Sequence, residues 1–423
     1  MTSPLSRFIA ASGLTNLGDG VATVAWAWVA SLLTRDPLLI ALVATALRLP
    51  WALFALPAGI VADRVDRRRL ILWMDVTRAA AFAATALALW TALPLPEAPE
   101  RGLAAPFAFA TLLAAAAVVG AAEVFRDNAA QTMLPSLVPH ARLEAANGRL
   151  WSVEIVGNAL VGPALGAMLV AFAAPAPFAG NAFAYAAAAL VVASLAGSFR
   201  PARGDAARDW RRELAEGFAF LRASPLLRTL AWLTGFWNLL FQMAMVAMVL
   251  HVQENLGMGA PAYGLVLAAG AVGGVAGGLA GGAIVRRLGP GRTAQWMLAF
   301  SAPSFLAMAL APGPVTLGLA LVAFEFTGLV WNTVSVSYRQ RAIPDALLGR
   351  VNSLYRLLAW GMMPVGLVLS GLIVRGLDGL VPSGVALAAP FHVAALGSLA
   401  LEHLAISWNR SAGFPSGRIR DSE

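Results

Sequence analysis

The sequence predicts an all-α membrane protein with twelve transmembrane helices in two pseudo-symmetric six-helix halves. The apolar composition, the regular recurrence of long apolar stretches and the distribution of arginine predict this class. Of 423 residues, 59% are hydrophobic and 12% are charged, and the mean hydropathy is +0.73. A soluble protein carries about 25% charged residues, so the deficit extends along the whole chain rather than over one anchor helix.

A helix that crosses the bilayer needs about 20 mostly apolar residues. On this basis, spans 1 to 6 are predicted at 8–33, 38–62, 70–94, 106–132, 147–173 and 177–197. Spans 7 to 12 are predicted at 226–252, 261–285, 292–311, 314–338, 347–374 and 383–407. No cleavable signal peptide is expected, because the first apolar stretch is too long for one and runs on into further spans.

The arginines test this topology. With the N-terminus in the cytoplasm, 23 of the 30 arginines fall on the cytoplasmic side, three fall outside and four lie within spans. Such an excess marks the cytoplasmic face of a membrane protein. We therefore expect a multi-pass protein of the cell (inner) membrane with both termini in the cytoplasm.

The chain divides into two halves around its longest charged loop. We predict an N-terminal half at 1–197, a cytoplasmic linker at 198–225, a C-terminal half at 226–409 and a cytoplasmic tail at 410–423. The start of each half is similar: Gly13-Leu-Thr-Asn16 matches Gly235-Phe-Trp-Asn238 at an offset of 222. Two repeated halves around a central pathway are one known transporter architecture.

Composition also excludes several kinds of chemistry. The chain has no cysteine, no lysine and four scattered histidines, so neither thiolate chemistry nor a metal site is expected. No Walker sequence occurs, so no nucleotide is expected, and an ion gradient is the expected energy source in place of a cofactor. The net charge of +8 follows from the cytoplasmic arginines and indicates no nucleic-acid partner. No clustered nucleophile suggests an enzyme, and a monomer in the lipid bilayer is expected.

The loop between spans 2 and 3 carries the strongest motif, Gly59-Ile-Val-Ala-Asp63-Arg64-Val-Asp66-Arg67-Arg68. It resembles the G-x-x-x-D-R-x-G-R-R signature of the major facilitator superfamily, with Asp66 in place of the usual glycine. The resemblance implies a cytoplasmic gate, to which it also assigns an acid on span 4. The gate residues are Gly59, Asp63, Arg64, Arg67, Arg68 and Asp127. In the second half Arg286 stands where the acid is expected, so a symmetric gate is not implied.

Span 5 contains a second motif of small residues around a proline. Its members are Gly157, Gly162, Pro163 and Gly166. Glycines at this spacing let helices approach closely, and a proline bends a helix. The stretch resembles an exporter-associated signature on the fifth helix of the same superfamily; the alternative is general small-residue packing.

Other stretches, including Asn16-Leu-Gly-Asp19-Gly, Leu49-Pro-Trp and Ala122-Glu123, are similar to the enterobactin-exporter and macrolide-efflux branch. This resemblance implies an antiporter that exports drug-like or siderophore-like amphipathic small molecules, as in multidrug resistance. The resemblance also implies that the export is driven by a proton gradient. It does not identify the substrate. A solute-uptake symporter and a lipid flippase of the same fold remain alternatives.

Charged side chains within spans are costly and indicate function. The proton-coupling candidates are Asp19, Glu325 and Glu123. Arg48 lies at a similar predicted depth to Asp19, so Arg48 is the expected charge partner in the core, and the two either pair or share one cavity. The alternative to a proton-coupling role is a fixed ion pair that only holds spans 1 and 2 together. Glu325 has no charged neighbour within a helical turn; the alternative for both glutamates is a hydrogen-bonded packing role.

Several further assignments are weaker. Asp75 and Arg78 are expected to form a local i,i+3 pair. Glu154 and Arg356 either belong to an inner gate or extend to the interface. Aromatic candidates for the wall of a substrate cavity are Trp26, Phe125, Phe236, Phe241, Trp331, Tyr338 and Trp360.

Overall fold

The computed structural model describes residues 3–62, 64–139, 142–197, 199–200 and 210–412. These residues are almost entirely helical and contain no β-strand. The helices before the linker are α1 (Pro4–Leu33), α2 (Pro37–Ala62), α3 (Arg67–Thr91), α4 (Pro106–Met133), α5 (Leu143–Glu154), α6 (Gly162–Phe172) and α7 (Ala176–Ala193).

The later helices are α8 (Trp210–Ala223), α9 (Pro225–Leu250), α10 (Ala260–Leu288), α11 (Pro290–Ala309), α12 (Pro314–Ala342), α13 (Asp345–Gly361), α14 (Met363–Leu377) and α15 (Ser383–Ala412). Within the described residues, ten helical stretches are long and apolar enough to cross a membrane. The other two predicted spans, 1 and 9, coincide with α1 and α11, which have 30 and 20 residues. Each of the twelve predicted spans is therefore helical.

Span 5 is irregular at its centre. A π-helical segment, Ile155–Val161, joins α5 to α6 and ends directly before Gly162-Pro163. Proline has no N–H to donate to the preceding turn, so the helix widens there and continues as α6. Span 11 is also interrupted before a proline, but by a single turn residue, Met362, between α13, which ends at Gly361, and α14, which begins directly before Pro364.

The predicted linker contains a helix that the sequence analysis did not anticipate. α8 buries Leu221 in an apolar cluster with Leu227 and three residues of the α12–α13 region. Glu216 of α8 also forms an ion pair with Arg350 of α13, at 2.6 Å. This end of the linker is therefore packed against the second half rather than suspended between the halves.

The chain forms two compact units. Helices α1–α7 form the first unit together with the segment Met248–Ala268, and α8, the rest of α9 and the rest of the chain from Ala269 form the second. The predicted domain boundaries at 197, 225 and 409 remain a prediction.

Candidate functional site: a buried charge network

Three polar side chains meet inside the first unit, from α1, α3 and α7. The Arg78 guanidinium, only 1% exposed, donates from Nη2 to Asp19 Oδ1 and to the Tyr185 hydroxyl, the latter at 2.7 Å. The Tyr185 hydroxyl in turn donates to Asp19 Oδ1 at 2.6 Å. The Asp19 side chain keeps 23% of its surface exposed. The carboxyl is therefore reachable, while its two partners are fully enclosed.

The packing of α7 holds this triad in place. Asn181 and Tyr185, one turn apart on α7, both face α1, and the Asn181 amide donates to the Gly18 carbonyl at 2.9 Å. Phe82 of α3 stacks on the Tyr185 ring with centroids 5.3 Å apart. The Arg78 guanidinium carbon also lies 4.1 Å from the centre of that ring. Backbone, aromatic and charged contacts thus fix the tyrosine beside both ions.

A second arginine extends the network toward α4. Arg126 donates from Nη2 to Thr15 Oγ1 at 2.8 Å. Its Nε lies 3.5 Å from Asp75 Oδ1 and its Nη1 lies 3.5 Å from Asp127 Oδ1. The Asp75 side chain is completely buried. The cost of burying such charges in hydrocarbon is offset only because they lie within one cluster.

Two predicted pairs are wrong. Asp19 pairs with Arg78 rather than with Arg48, which is exposed and forms no ion pair among the described residues. Asp75 faces Arg126 on α4 rather than Arg78 on its own helix. The position of a residue along a helix does not determine which face of the helix carries it, and the partner depends on that face.

The two candidate glutamates occupy different surroundings. Glu123 is half-buried near Asp19, Arg78, Asp127 and Arg48, whose charges act on it. Glu325 on α12 is half-buried and has no hydrogen-bond or ion-pair partner within the described part of the chain. Its side chain faces glycines of α10, as a Cβ built on Gly270 would lie 3.5 Å from Glu325 Cγ.

The span 5 motif packs directly on α1. A Cβ built on Gly162 would lie 2.5 Å from the Gly157 carbonyl oxygen and 2.5 Å from the α-carbon of Gly20. A Cβ on Gly20 would lie 2.5 Å from the Asn158 carbonyl oxygen, and one on Gly166 would overlap the Val21 carbonyl oxygen. Only glycine permits this approach of two backbones. The α1 helix is therefore held between this motif and the charge network.

The loop arginines bind the ends of other helices. Arg67 donates to the Thr132 carbonyl at the end of α4 and Arg68 to the Ala193 carbonyl at the end of α7, both at 2.9 Å. Asp66 accepts from the Arg69 N–H as the N-cap of α3 and from the Phe199 N–H at 3.1 Å. The aspartate that replaces the motif glycine thus has its own structural role.

The remaining gate assignments have mixed outcomes. Asp63 lies outside the described residues, and Arg64 is exposed. A Cβ on Gly59 would meet nothing within 4 Å, so the close packing expected there is absent. Asp127 pairs with Arg126 on its own helix instead of with the loop arginines, because the Arg126 guanidinium already lies beside it.

The sequence profile of the Major Facilitator Superfamily matches residues 8–367. The chain belongs to this superfamily. It is accordingly a transporter of small molecules in a membrane and not an enzyme.

Relatives of this superfamily chain include two multidrug efflux pumps named Tap. The pump of Mycolicibacterium fortuitum is 27% identical over 385 residues, which cover 87% of this chain and 88% of the pump. The pump of Mycobacterium tuberculosis is 26% identical over 395 residues, covering 87% and 86%.

Solved transporter structures share the superfamily fold. A bacterial homologue of the iron transporter ferroportin, in an inward-facing state, aligns with a TM-score of 0.72 and 17% identity over 96% of this chain and 98% of its own. The nucleoside transporter NupG aligns with a TM-score of 0.70 and 14% identity over 96% and 99%. At these identities the likeness shows the fold alone.

The aromatic candidates for a transporter cavity are not all accessible. Trp26 and Trp331 are 4% and 5% exposed, so neither lines an open cavity, and Trp26 instead packs edge-on against Phe178. Phe236 is 42% exposed. The others are half-buried: Phe125, Phe241, Tyr338 and Trp360.

The two weaker gate candidates are also placed. Glu154 is half-buried near Asp127 and Arg126, and the Arg356 guanidinium carbon lies 4.2 Å from the centre of the Trp360 ring.

Sequence reasoning missed Tyr185. It is one of only four tyrosines, and a polar Asn181 one turn before it was the available signal.

Proposed function

We propose that this chain is a proton-coupled exporter of drug-like or siderophore-like amphipathic small molecules in the inner membrane, with both termini and the linker in the cytoplasm. The observation that carries the proposal is the Asp19–Arg78–Tyr185 triad, in which a partly exposed carboxyl has enclosed partners. The glycine-lined contact of the span 5 motif with α1 and the names of the Tap relatives support export.

Asp19 is suited to couple protons to movement because its two states bind their surroundings differently. When ionised, it accepts hydrogen bonds from Arg78 and Tyr185, which join α1 to α3 and α7. When it binds a proton, it loses its attraction for the guanidinium, and α1 is held less firmly. Rocking of the two halves about a central site would then respond to the proton gradient.

The test uses everted membrane vesicles carrying the protein, a panel of amphipathic dyes and antibiotics, and an imposed pH gradient. We expect uphill export by the wild type and only downhill exchange by Asp19→Asn, because exchange needs the substrate site but no net proton movement. Glu97→Gln is the matched control, since it removes one carboxylate from an exposed position outside the network and leaves export unchanged. Full gradient-driven export by both Asp19→Asn and Glu325→Gln would exclude both as proton carriers.

The same vesicles distinguish the alternative functions. Accumulation of a solute in the direction of the ion gradient would indicate a symporter, and movement of headgroup-labelled lipid would indicate a flippase. If a sodium gradient rather than a proton gradient restores transport, the assignment of protons as the coupling ion is wrong.

The proposed topology has its own test. Because the chain has no cysteine, a single Ala207→Cys substitution reports one position cleanly. We expect an impermeant thiol reagent to label it in everted vesicles and not in intact cells. Labelling from outside intact cells would overturn the cytoplasmic position of the linker.

A further inference from the structure

Arg78 and Asp75 both leave buried polar atoms unsatisfied, although they lie one turn apart on α3. Within the described part of the chain, Arg78 Nε has no hydrogen-bond partner, and neither carboxylate oxygen of Asp75 has one. Among these residues Asp75 forms an ion pair only with Arg126, whose Nε is 3.5 Å away and is itself without a hydrogen-bond partner. Buried polar groups normally find partners, so the Asp75 carboxylate is open to a further donor, and Arg78 on the same helix has an open Nε.

We propose that Arg78 is a counter-ion shared by Asp19 and Asp75, which pairs with Asp19 while that carboxyl is ionised and turns to Asp75 when Asp19 binds a proton. The inference deepens the proposed proton coupling and rests on it for its role in transport. Side chains at i and i+3 of a helix are neighbours, so a change of Arg78 rotamer brings its guanidinium to Asp75 without movement of α3.

The balance of charge favours sharing. The groups that act on Arg78 and Asp75 are Asp19 of α1, Tyr185 of α7, and Glu123, Arg126 and Asp127 of α4. With Asp75 itself, the cluster has four carboxyls and three arginines, because Arg48, which acts on Glu123, adds to Arg78 and Arg126. Three arginines cannot neutralise four carboxylates in separate pairs, so the carboxyls compete for the same guanidinium groups.

The transfer would connect protonation to the packing of α1. In the described arrangement Arg78 joins α1 to α3 and contacts Tyr185 of α7. After transfer to Asp75, both partners of the arginine pair lie on α3. The ionic link between α1 and α3 is then lost, while the glycine contact of α1 with the span 5 motif remains.

A double-mutant cycle in thermal stability tests the sharing without any substrate. The variants are Asp19→Asn, Asp75→Asn and the double variant, purified in detergent. We expect Asp19→Asn to lose little stability, because Asp75 holds Arg78, and Asp75→Asn to lose only what its contact with Arg126 contributes. The double variant should lose much more than the sum of the two. Effects of releasing Arg126 occur equally with and without Asp19→Asn and cancel in the cycle.

Two controls keep the cycle decisive. Asp19→Asn combined with Asp127→Asn should be additive, because Asp127 pairs with Arg126. If the Asp19→Asn/Asp75→Asn protein does not accumulate, adding Arg78→Gln should restore its yield by removing the stranded charge. Additive losses, or no rescue by Arg78→Gln, would overturn the proposal.

A crystal structure of the Asp19→Asn variant, which mimics the protonated state, tests the transfer itself. We expect the Arg78 guanidinium at hydrogen-bonding distance from Asp75; a guanidinium that stays beside Tyr185 overturns the transfer. Neither result depends on vesicle transport. Absence of pH-driven export would therefore overturn the proposed function without affecting the shared counter-ion. Conversely, additive stability losses together with pH-driven export would overturn the shared counter-ion and leave the proposed function.

Discussion

The two halves join their first and third helices differently: one by an ion pair and the other by a neutral hydrogen bond. At the repeat offset of 222, Asp19 corresponds to Phe241, and at the offset of 223 seen between the loop motifs, Arg78 corresponds to Ser301. The first half thus joins its first and third helices by a buried ion pair. The second half joins the corresponding helices by a neutral hydrogen bond of 3.0 Å from Trp237 Nε1 to Ser301 Oγ.

The surroundings of this hydrogen bond in the second half are aromatic rings and hydroxyls. Phe324 stacks with Trp237 and Phe241, with centroids 5.0 and 5.2 Å apart, and packs at a tilt against Phe305, with centroids 4.6 Å apart. The Tyr355 hydroxyl lies 2.7 Å from Thr234 Oγ1. The same scaffold therefore tolerates both solutions. Charge in the first half is not required by the fold, which is why we connect that half with coupling.

The largest expected difference in stability is between loss of the Asp19–Arg78 ion pair and loss of the Trp237–Ser301 hydrogen bond. Arg78→Ala should destabilise the purified protein by about 3–5 kcal/mol, because it removes the enclosed partner of the Asp19 carboxylate and leaves this charge with the Tyr185 hydroxyl alone. Ser301→Ala should cost only about 0.6 kcal/mol, the average for a hydrogen bond between membrane helices. Thermal or denaturant unfolding in detergent measures both.

Similar losses for these two variants would contradict the comparison, since the ion pair would then be no more important than a hydroxyl contact. Arg78→Lys provides the control. It keeps the charge but not the geometry of the guanidinium, so it should recover part of the lost stability.

The next prediction concerns what the halves share. A Cβ on Gly162 would clash with α1, and a Cβ on Gly366 of α14 would overlap the Leu239 carbonyl of α9. We expect Gly162→Ala and Gly366→Ala each to cost about 1–3 kcal/mol from overpacking. Gly278→Ala is the matched control, because a Cβ there meets nothing within 4 Å. A loss in only one half would show that the two contacts are not equivalent.

The sequence predicted the fold almost completely because the signal for a membrane helix is strong and local. Long apolar stretches and the one-sided arginines need no knowledge of packing. Thus the predicted span 38–62 corresponds to Pro37–Ala62 in the structure. The breaks in spans 5 and 11 follow from proline, and Pro163 was recognised as a bend.

The site was only partly predictable because partner choice depends on helix rotation. Asp19 was found as an intramembrane acid, yet its arginine was misassigned, since Arg48 on α2 is exposed whereas Arg78 on α3 faces Asp19. Tyr185 carries no charge and was overlooked. A hydroxyl becomes recognisable as a site residue only when the structure shows which ions it contacts.

Matched tyrosines give a smaller, sharper contrast. Tyr185→Phe removes a hydrogen bond to the Asp19 carboxylate, and Tyr355→Phe removes bonds to neutral hydroxyls and to the Leu230 carbonyl. We expect Tyr185→Phe to lower the free energy of unfolding by about 1.7 kcal/mol, the upper end for hydrogen bonds between membrane helices, and Tyr355→Phe to lower it by about 0.6 kcal/mol. Tyr185→Phe should also change the pH profile of export, whereas Tyr355→Phe should not. An unchanged profile for both would detach Tyr185 from coupling.

The smallest expected effect lies in the loops that follow the second helix of each half. Arg67 donates to the carbonyl of Thr132 in the last turn of α4, and it is half-buried. A cation at a helix C-terminus contributes about 0.3–1 kcal/mol, so Arg67→Ala should lower stability by this amount. Arg286, in the corresponding loop, is exposed and has no hydrogen-bond or ion-pair partner among the described residues. We therefore expect Arg286→Ala to be neutral in unfolding experiments, and an equal loss for both would mean that the second loop has a partner of its own.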